Sequence, residues 1–117
     1  MDFEAAKALC RGFPGATEDL KWEHDAVFSV GGKMFAVTNA ALPSEGFSLK
    51  AEDERFLELT DRPGIIPAPY LARAKWVYVT AGADMADAEL AALLRRSYEL
   101  VFARLTRKLQ REILDVA

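Results

Sequence analysis

The chain has 117 residues and a net charge of −3, from 15 lysines and arginines against 18 acids. That length fits one domain, residues 1–117, able to bury a core without a metal or a disulfide, and Cys10 as the only cysteine excludes an internal disulfide. The acidic balance argues against a surface that binds nucleic acid everywhere, and no apolar run approaches the roughly 20 residues of a membrane-spanning helix. The opening "MDFEAAKALC" carries acids and lacks a long apolar stretch, so it does not read as a secretory leader. A cytoplasmic protein with no membrane partner is the expectation.

In chain order, Phe3, Ala6 and Leu9, with Cys10 beside them, mark one face of a short helix over Phe3 to Arg11, with Asp2 as its N-cap. Gly12 and Pro14–Gly15 stop it. In "DLKW", Leu20 and Trp22 alternate with charges as on a half-buried strand, and His24–Asp25 reads as a turn. Phe28 and Val30 form the next strand, Gly31–Gly32 is a hairpin turn, and "KMFAVT" returns. A two-residue turn there pairs Val30 with Lys33 and Phe28 with Phe35. "ALPSEG" is a longer turn and "FSLK" (47–50) a fourth strand, with every link too short for a crossover. "AEDERFLELTDRPG" is a helix begun by Ala51 or Glu52, striped by Phe56, Leu57 and Leu59, and ended by Pro63–Gly64. "GIIPAPYLARA" reads as a stiff loop into a fifth strand, "KWVYVT". From Ala88, after a cap at Asp84 or Asp87, one long helix carries Leu90, Leu93, Leu94, Val101, Leu105 and Leu109. The expected fold class is α+β: an antiparallel sheet of about five strands packed against N-terminal, middle and long C-terminal helices.

Chemistry is sparse. His24 is the only histidine, so a Cys10–His24 nucleophile has little geometric support, and no catalytic residue is assigned. Glu18, Asp19, Glu23, His24 and Asp25 gather acids without the four-ligand set of a zinc site or the glycine turn of a calcium loop. No GxGxxG or GxxxxGK[ST] occurs. No cofactor or metal is expected. Cations are better placed. Arg95, Arg96, Arg104, Arg107, Lys108 and Arg111 face a single acid, Glu99, between residues 95 and 111. Aromatics sit beside lysines at Lys21–Trp22, Lys33–Phe35 and Lys75–Trp76–Tyr78, a pattern able to stack bases and meet phosphates. The alternatives are a solvated helix face and aromatics that serve the core.

The joint order of Gly32-Lys33-Met34-Phe35, Lys50, Pro67-Ala68-Pro69-Tyr70, Lys75-Trp76-Val77 and Ser97-Tyr98 resembles the MmcQ/YjbR family of small bacterial proteins, over about Phe3 to Lys108. The resemblance implies a CyaY-like, "double wing" α+β fold and a DNA-binding label that rests on fold similarity. It implies no assigned catalytic role for any matched position. Likeness to frataxin-type domains raises iron, but the first helix offers only Asp2 and Glu4 instead of an acidic ridge.

Three readings follow. The first is a DNA-binding module contacting phosphate, through Arg95, Arg96, Arg104 and Arg107. The second is a binder of a small anionic ligand or peptide, with Lys33, Lys50 and Lys75 converging beside Tyr70 and Trp76. The third is a protein-interaction module, monomer or homodimer, that pairs through the long C-terminal helix.

Overall fold

The computed structural model describes residues 2–21, 25–39, 46–69 and 71–116. Residues 41–45 of the "ALPSEG" turn, Trp22, His24 and Tyr70 therefore lie outside the described residues. Helix α1 (Phe3–Gly12) is capped by the Asp2 carboxylate, which accepts the Ala5 N–H at 3.0 Å. It leads into β1 (Ala16–Lys21), β2 (Asp25–Val30), β3 (Lys33–Asn39) and β4 (Gly46–Lys50), then α2 (Asp53–Thr60). Strand β5 (Ile65–Pro67), a single 3-10 turn (Ala72–Ala74), β6 (Trp76–Thr80), α3 (Asp87–Phe102) and α4 (Arg107–Val116) complete the chain. The strands form one antiparallel sheet in the order β1-β2-β3-β4-β6-β5.

The sheet has six strands where the sequence pattern suggests about five. The sixth lies inside the Pro-Ala-Pro stretch, where Ile65–Pro67 pairs with β6 (Ile65 opposite Val79, Pro67 opposite Val77). A three-residue strand ending in proline carries no periodic signal. Its place at the sheet edge is where a residue without an N–H is tolerated. The opposite edge, β1, shows Glu18, Asp19 and Lys21 to solvent, so charge blunts that side. Leu20 is 67 % exposed, so β1 is not the half-buried strand its alternation suggests.

The Gly31–Gly32 hairpin forms as its two positive φ angles (58° and 81°) require, with Val30 opposite Lys33. The pairing beyond it differs from expectation. Phe28 faces Ala36 and Ser29 faces Met34, which leaves Phe35 as the extra residue of a β-bulge. Phe35 and Ala36 are then both buried in succession. Rings of Phe3, Phe13, Phe28, Phe35, Phe47, Tyr98 and Phe102 join across the core, with centroids between 4.9 and 6.5 Å apart. In α2, Leu59 is buried but Leu57 is 77 % exposed, so the apolar stripe is narrower than its three residues suggest.

The C-terminal helix is not continuous. Helix α3 starts after Ala86 with no side-chain cap, and Asp87 in its first turn instead accepts the Asp2 N–H at 3.0 Å. It ends at Phe102. The Thr106 hydroxyl then accepts the Leu109 N–H, an N-cap for α4, and the Gln110 amide reaches back to the Phe102 and Leu105 carbonyls. No proline or glycine marks the break; the Thr106 cap and the Gln110 reach-back accompany it. The turn brings Leu105 and Leu109 onto Gly31 and Ile113 onto Gly15, so these side chains pack within the chain.

These contacts separate the glycines. A Cβ on Gly31 (φ +58°) would sit 2.7 Å from Leu105 Cδ1, whereas one on Gly32 (φ +81°) meets nothing within 4 Å. Gly32→Ala is expected to lose only the conformational cost, about 1 kcal/mol, and Gly31→Ala measurably more. Urea unfolding midpoints of the two variants check this, and equal losses would mean that α4 does not press on the turn.

Candidate functional site

The β3–β4 ladder stops at Ala36–Leu49, next to Phe35, the residue that is extra in the β2–β3 pairing. Continuing the β3–β4 register (Ala36 opposite Leu49) would put Phe35 opposite Lys50. The fully buried Ser97 hydroxyl of α3 is inserted there instead. It donates to the Phe35 carbonyl at 2.6 Å and accepts the Lys50 N–H at 2.9 Å. One hydroxyl thus satisfies both backbone groups that the parted strands would leave bare. Next to it, the Tyr98 hydroxyl donates to the Pro14 carbonyl at 2.6 Å and ties α3 to the loop after α1. The Ser97-Tyr98 pair is therefore a structural fastening.

A cleft of about 410 Å³ lies at this end of the sheet. Lys33 from the start of β3, Lys50 from the end of β4, Arg73 and Lys75 from the loop before β6, and Arg104 from the end of α3 all line it. Asp53, the first residue of α2, is the only acid in its wall among the described residues. Met34, Ala74 and Val101 supply the apolar part. Among the described residues none of the five cations takes part in a salt bridge, although Arg11, Arg55, Arg62 and Arg96 each hold a glutamate.

The individual groups are held closely. The Lys50 ammonium donates to the Ala74 carbonyl at 2.6 Å, which uses one of its three protons and joins β4 to the loop. Burial pushes its pKa below the ordinary value, the Arg104 guanidinium adds to the shift, and Asp53 opposes it. Lys75 is the one non-glycine residue with positive φ among the described residues, at 64°. Its N–H bonds the Ala72 carbonyl and its carbonyl accepts the Ala51 N–H, which fixes the reversal into β6. Its ammonium lies 5.2 Å from the centroid of the Phe56 ring. A strained backbone at a charged residue is the kind of feature that concentrates at binding sites.

The other expected contacts separate from the cleft. Trp76 is 5 % exposed and buried in the sheet opposite Lys50, so it displays no stacking surface. Arg95 lies over the Phe13 ring, 5.5 Å from its centroid. Arg96 is bound to Glu52 at 2.9 Å and Glu99 at 3.2 Å. Arg107 is exposed on α4. The basic stretch from Arg95 to Arg111 is thus dispersed over different surroundings, and of its members only Arg104 reaches the cleft. Arg73 and Asp53 were not legible as site residues. Arg73 sits inside the 3-10 turn and Lys75 directly after it, and both line the cleft.

Cys10 belongs to the core. It is fully buried, and burial pushes its thiol from an ordinary 9.0 to about 12, against a smaller lowering from Arg11.

The chain matches the YjbR family model over residues 11–100. It belongs to the YjbR family. A solved structure from Deinococcus radiodurans, described by the family-model domain DUF419, shares 28 % identity at a TM-score of 0.82, covering 94 % of this chain and 86 % of that one. A Pseudomonas syringae protein of solved structure shares 21 % identity at a TM-score of 0.70, covering 86 % of this chain and 99 % of that one, and is similar in fold. A comparison with curated proteins gives no match.

Two outcomes test this geometry. Ser97→Ala strips the partner from both the Lys50 N–H and the Phe35 carbonyl, and should lower unfolding free energy by about 1–3 kcal/mol. Amide exchange at Lys50 should accelerate with it; unchanged exchange there would contradict the inserted hydroxyl. The Cys10 thiolate is disfavoured in the folded chain, so that part of stability is complete below pH 9.0 and is lost as pH climbs towards about 12. At mildly alkaline pH a thiol reagent should react with Cys10 at the unfolding rate, and rapid labelling of the native protein would refute the assignment.

Proposed function

We propose that this protein binds a small anionic ligand in the cleft at the ends of β3 and β4. The observation that carries this reading is the gathering of Lys33, Lys50, Arg73, Lys75 and Arg104 around one concavity without a salt bridge among the described residues. In an acidic chain, cations that could have been neutralised locally are left facing a shared space. Such a cleft focuses positive potential and concentrates counter-ions. Its volume falls in the usual range for small-molecule sites. The chemistry it offers is recognition: ammonium and guanidinium donors suited to phosphate or carboxylate oxygens. Among the described residues its lining holds no cysteine, serine, threonine or histidine.

A second reading, contact with the phosphates of duplex DNA, draws on Arg107, Lys108 and Arg111. These are exposed on α4 and in no salt bridge among the described residues, so positive charge continues along the chain beyond Arg104. It predicts an affinity for random duplex that falls steeply with salt, and absence of a complex near about 100 μM protein at low salt would remove it.

Sulfate keeps its charge across the alkaline range and is the probe for the first reading. Its titration, followed by amide shifts of Lys33, Lys50 and Lys75, should saturate. Lys50→Ala should weaken it about tenfold, the scale of one charge-assisted hydrogen bond. Affinity should be full while Lys50 is protonated and decline as pH rises through its lowered pKa, beginning below the ordinary 10.5. Shifts spread evenly over the surface, with no response to Lys50→Ala, would sink the reading.

A further inference from the structure

We propose that the occupant of the cleft is a small molecule bearing a linear di- or triphosphate chain, not a single phosphate or carboxylate. The inference rests on the anion-binding reading above and concerns the number and spacing of the negative groups.

The argument begins with charge. Five cations against Asp53 leave an excess that one phosphate dianion does not balance. Like charges in one concavity repel, and the Arg104 guanidinium already acts on Lys50 in that sense. The cations also enter from separate elements. Lys33 follows the hairpin turn, Lys50 ends β4, Arg73 lies in the 3-10 turn and Lys75 directly after it, and Arg104 follows α3. Several separate stretches of the chain thus each bring a cation to the same cleft, which suits a ligand with more than one anionic group. Two of them are partly buried and held in place: Lys50 through the Ala74 carbonyl, Lys75 over Phe56. Lys33 and Arg73 are exposed at the rim. A chain of phosphates spans both levels, with terminal oxygens at Lys50 and Lys75 and the next group at the rim. Guanidinium groups at Arg73 and Arg104 can take phosphate oxygens two at a time. An organic substituent would lie against Met34 and Val101.

The test is calorimetric titration of the full chain, without divalent metal and at constant ionic strength, with orthophosphate, pyrophosphate and tripolyphosphate. Affinity should rise from the first to the last by at least about tenfold, the effect of one further charge-assisted contact. Lys33→Ala and Arg73→Ala change exposed side chains and should leave the fold intact; each should weaken tripolyphosphate by a larger factor than orthophosphate. Adenosine triphosphate in place of tripolyphosphate identifies the source: tighter binding marks an ester, equal binding the inorganic chain, and either agrees with the proposal. Orthophosphate binding as tightly as tripolyphosphate would overturn it and leave the anion site standing. Failure of every phosphate to bind would remove both. Oligothymidylate binding more tightly than tripolyphosphate would assign the cleft to a nucleic-acid strand and also overturn the proposal.

Discussion

The Ser97 hydroxyl is the point on which this structure turns. Antiparallel strands normally satisfy each other's backbone groups, and β3 and β4 do so from Thr38–Phe47 to Ala36–Leu49. At Phe35 that reciprocity stops, and a single side-chain oxygen from α3 serves both sides. The consequence reaches well beyond two hydrogen bonds. With the strand ends held apart, Lys33 and Lys50 border a cleft where a closed ladder would have run on. The same contact fixes the height of α3 over the sheet, and so the position of Arg104 beyond its C-terminus. Packing, register and surface charge are joined through one buried group, which is why a small polar residue occupies a helix face otherwise made of Leu90, Leu93, Leu94, Tyr98 and Val101.

The cleft gathers charge at a cost in local energy that the surrounding fold carries. Lys50 is partly desolvated beside Arg104, and Lys75 is held in a left-handed backbone. Elsewhere the chain treats cations differently. Arg62 is clamped by Glu89 and the Asp84 carbonyl, and Arg11 by Glu18, each carboxylate being held below its usual range by its guanidinium partner. The contrast lies within one small protein. Where an arginine joins two elements it has an acid; where cations border the cleft they share a single aspartate among the described residues.

Much of this was legible in the sequence. Gly31–Gly32 gave the central hairpin because two positive φ angles leave few alternatives. The amphipathic spacing gave α1, α2 and the start of the last helix, and the family resemblance marked Lys33, Lys50 and Lys75 as companions. What escaped notice depended on contacts between distant residues. The bulge at Phe35 shifts pairing by one position without leaving a composition signal. Strand β5 is too short to be periodic, and its identity comes from β6. The break after Phe102 is accompanied by the Thr106 cap and the Gln110 reach-back, while Leu105, Leu109 and Ile113 pack on the distant Gly31 and Gly15. Arg95 and Arg96 looked like neighbours of Arg104 in a basic run, but helical geometry sends one to an aromatic ring and the other to two glutamates.

Lys75 carries a consequence for how this chain tolerates change. A glycine would adopt φ near 64° without strain, whereas lysine gives up about 1–2 kcal/mol there. The residue best for folding at this position is thus the one that removes an ammonium from the cleft. Random substitution followed by selection for thermal resistance alone would drift towards glycine and erode the site unnoticed. Lysine keeps an ammonium in the cleft wall at that cost in folding energy.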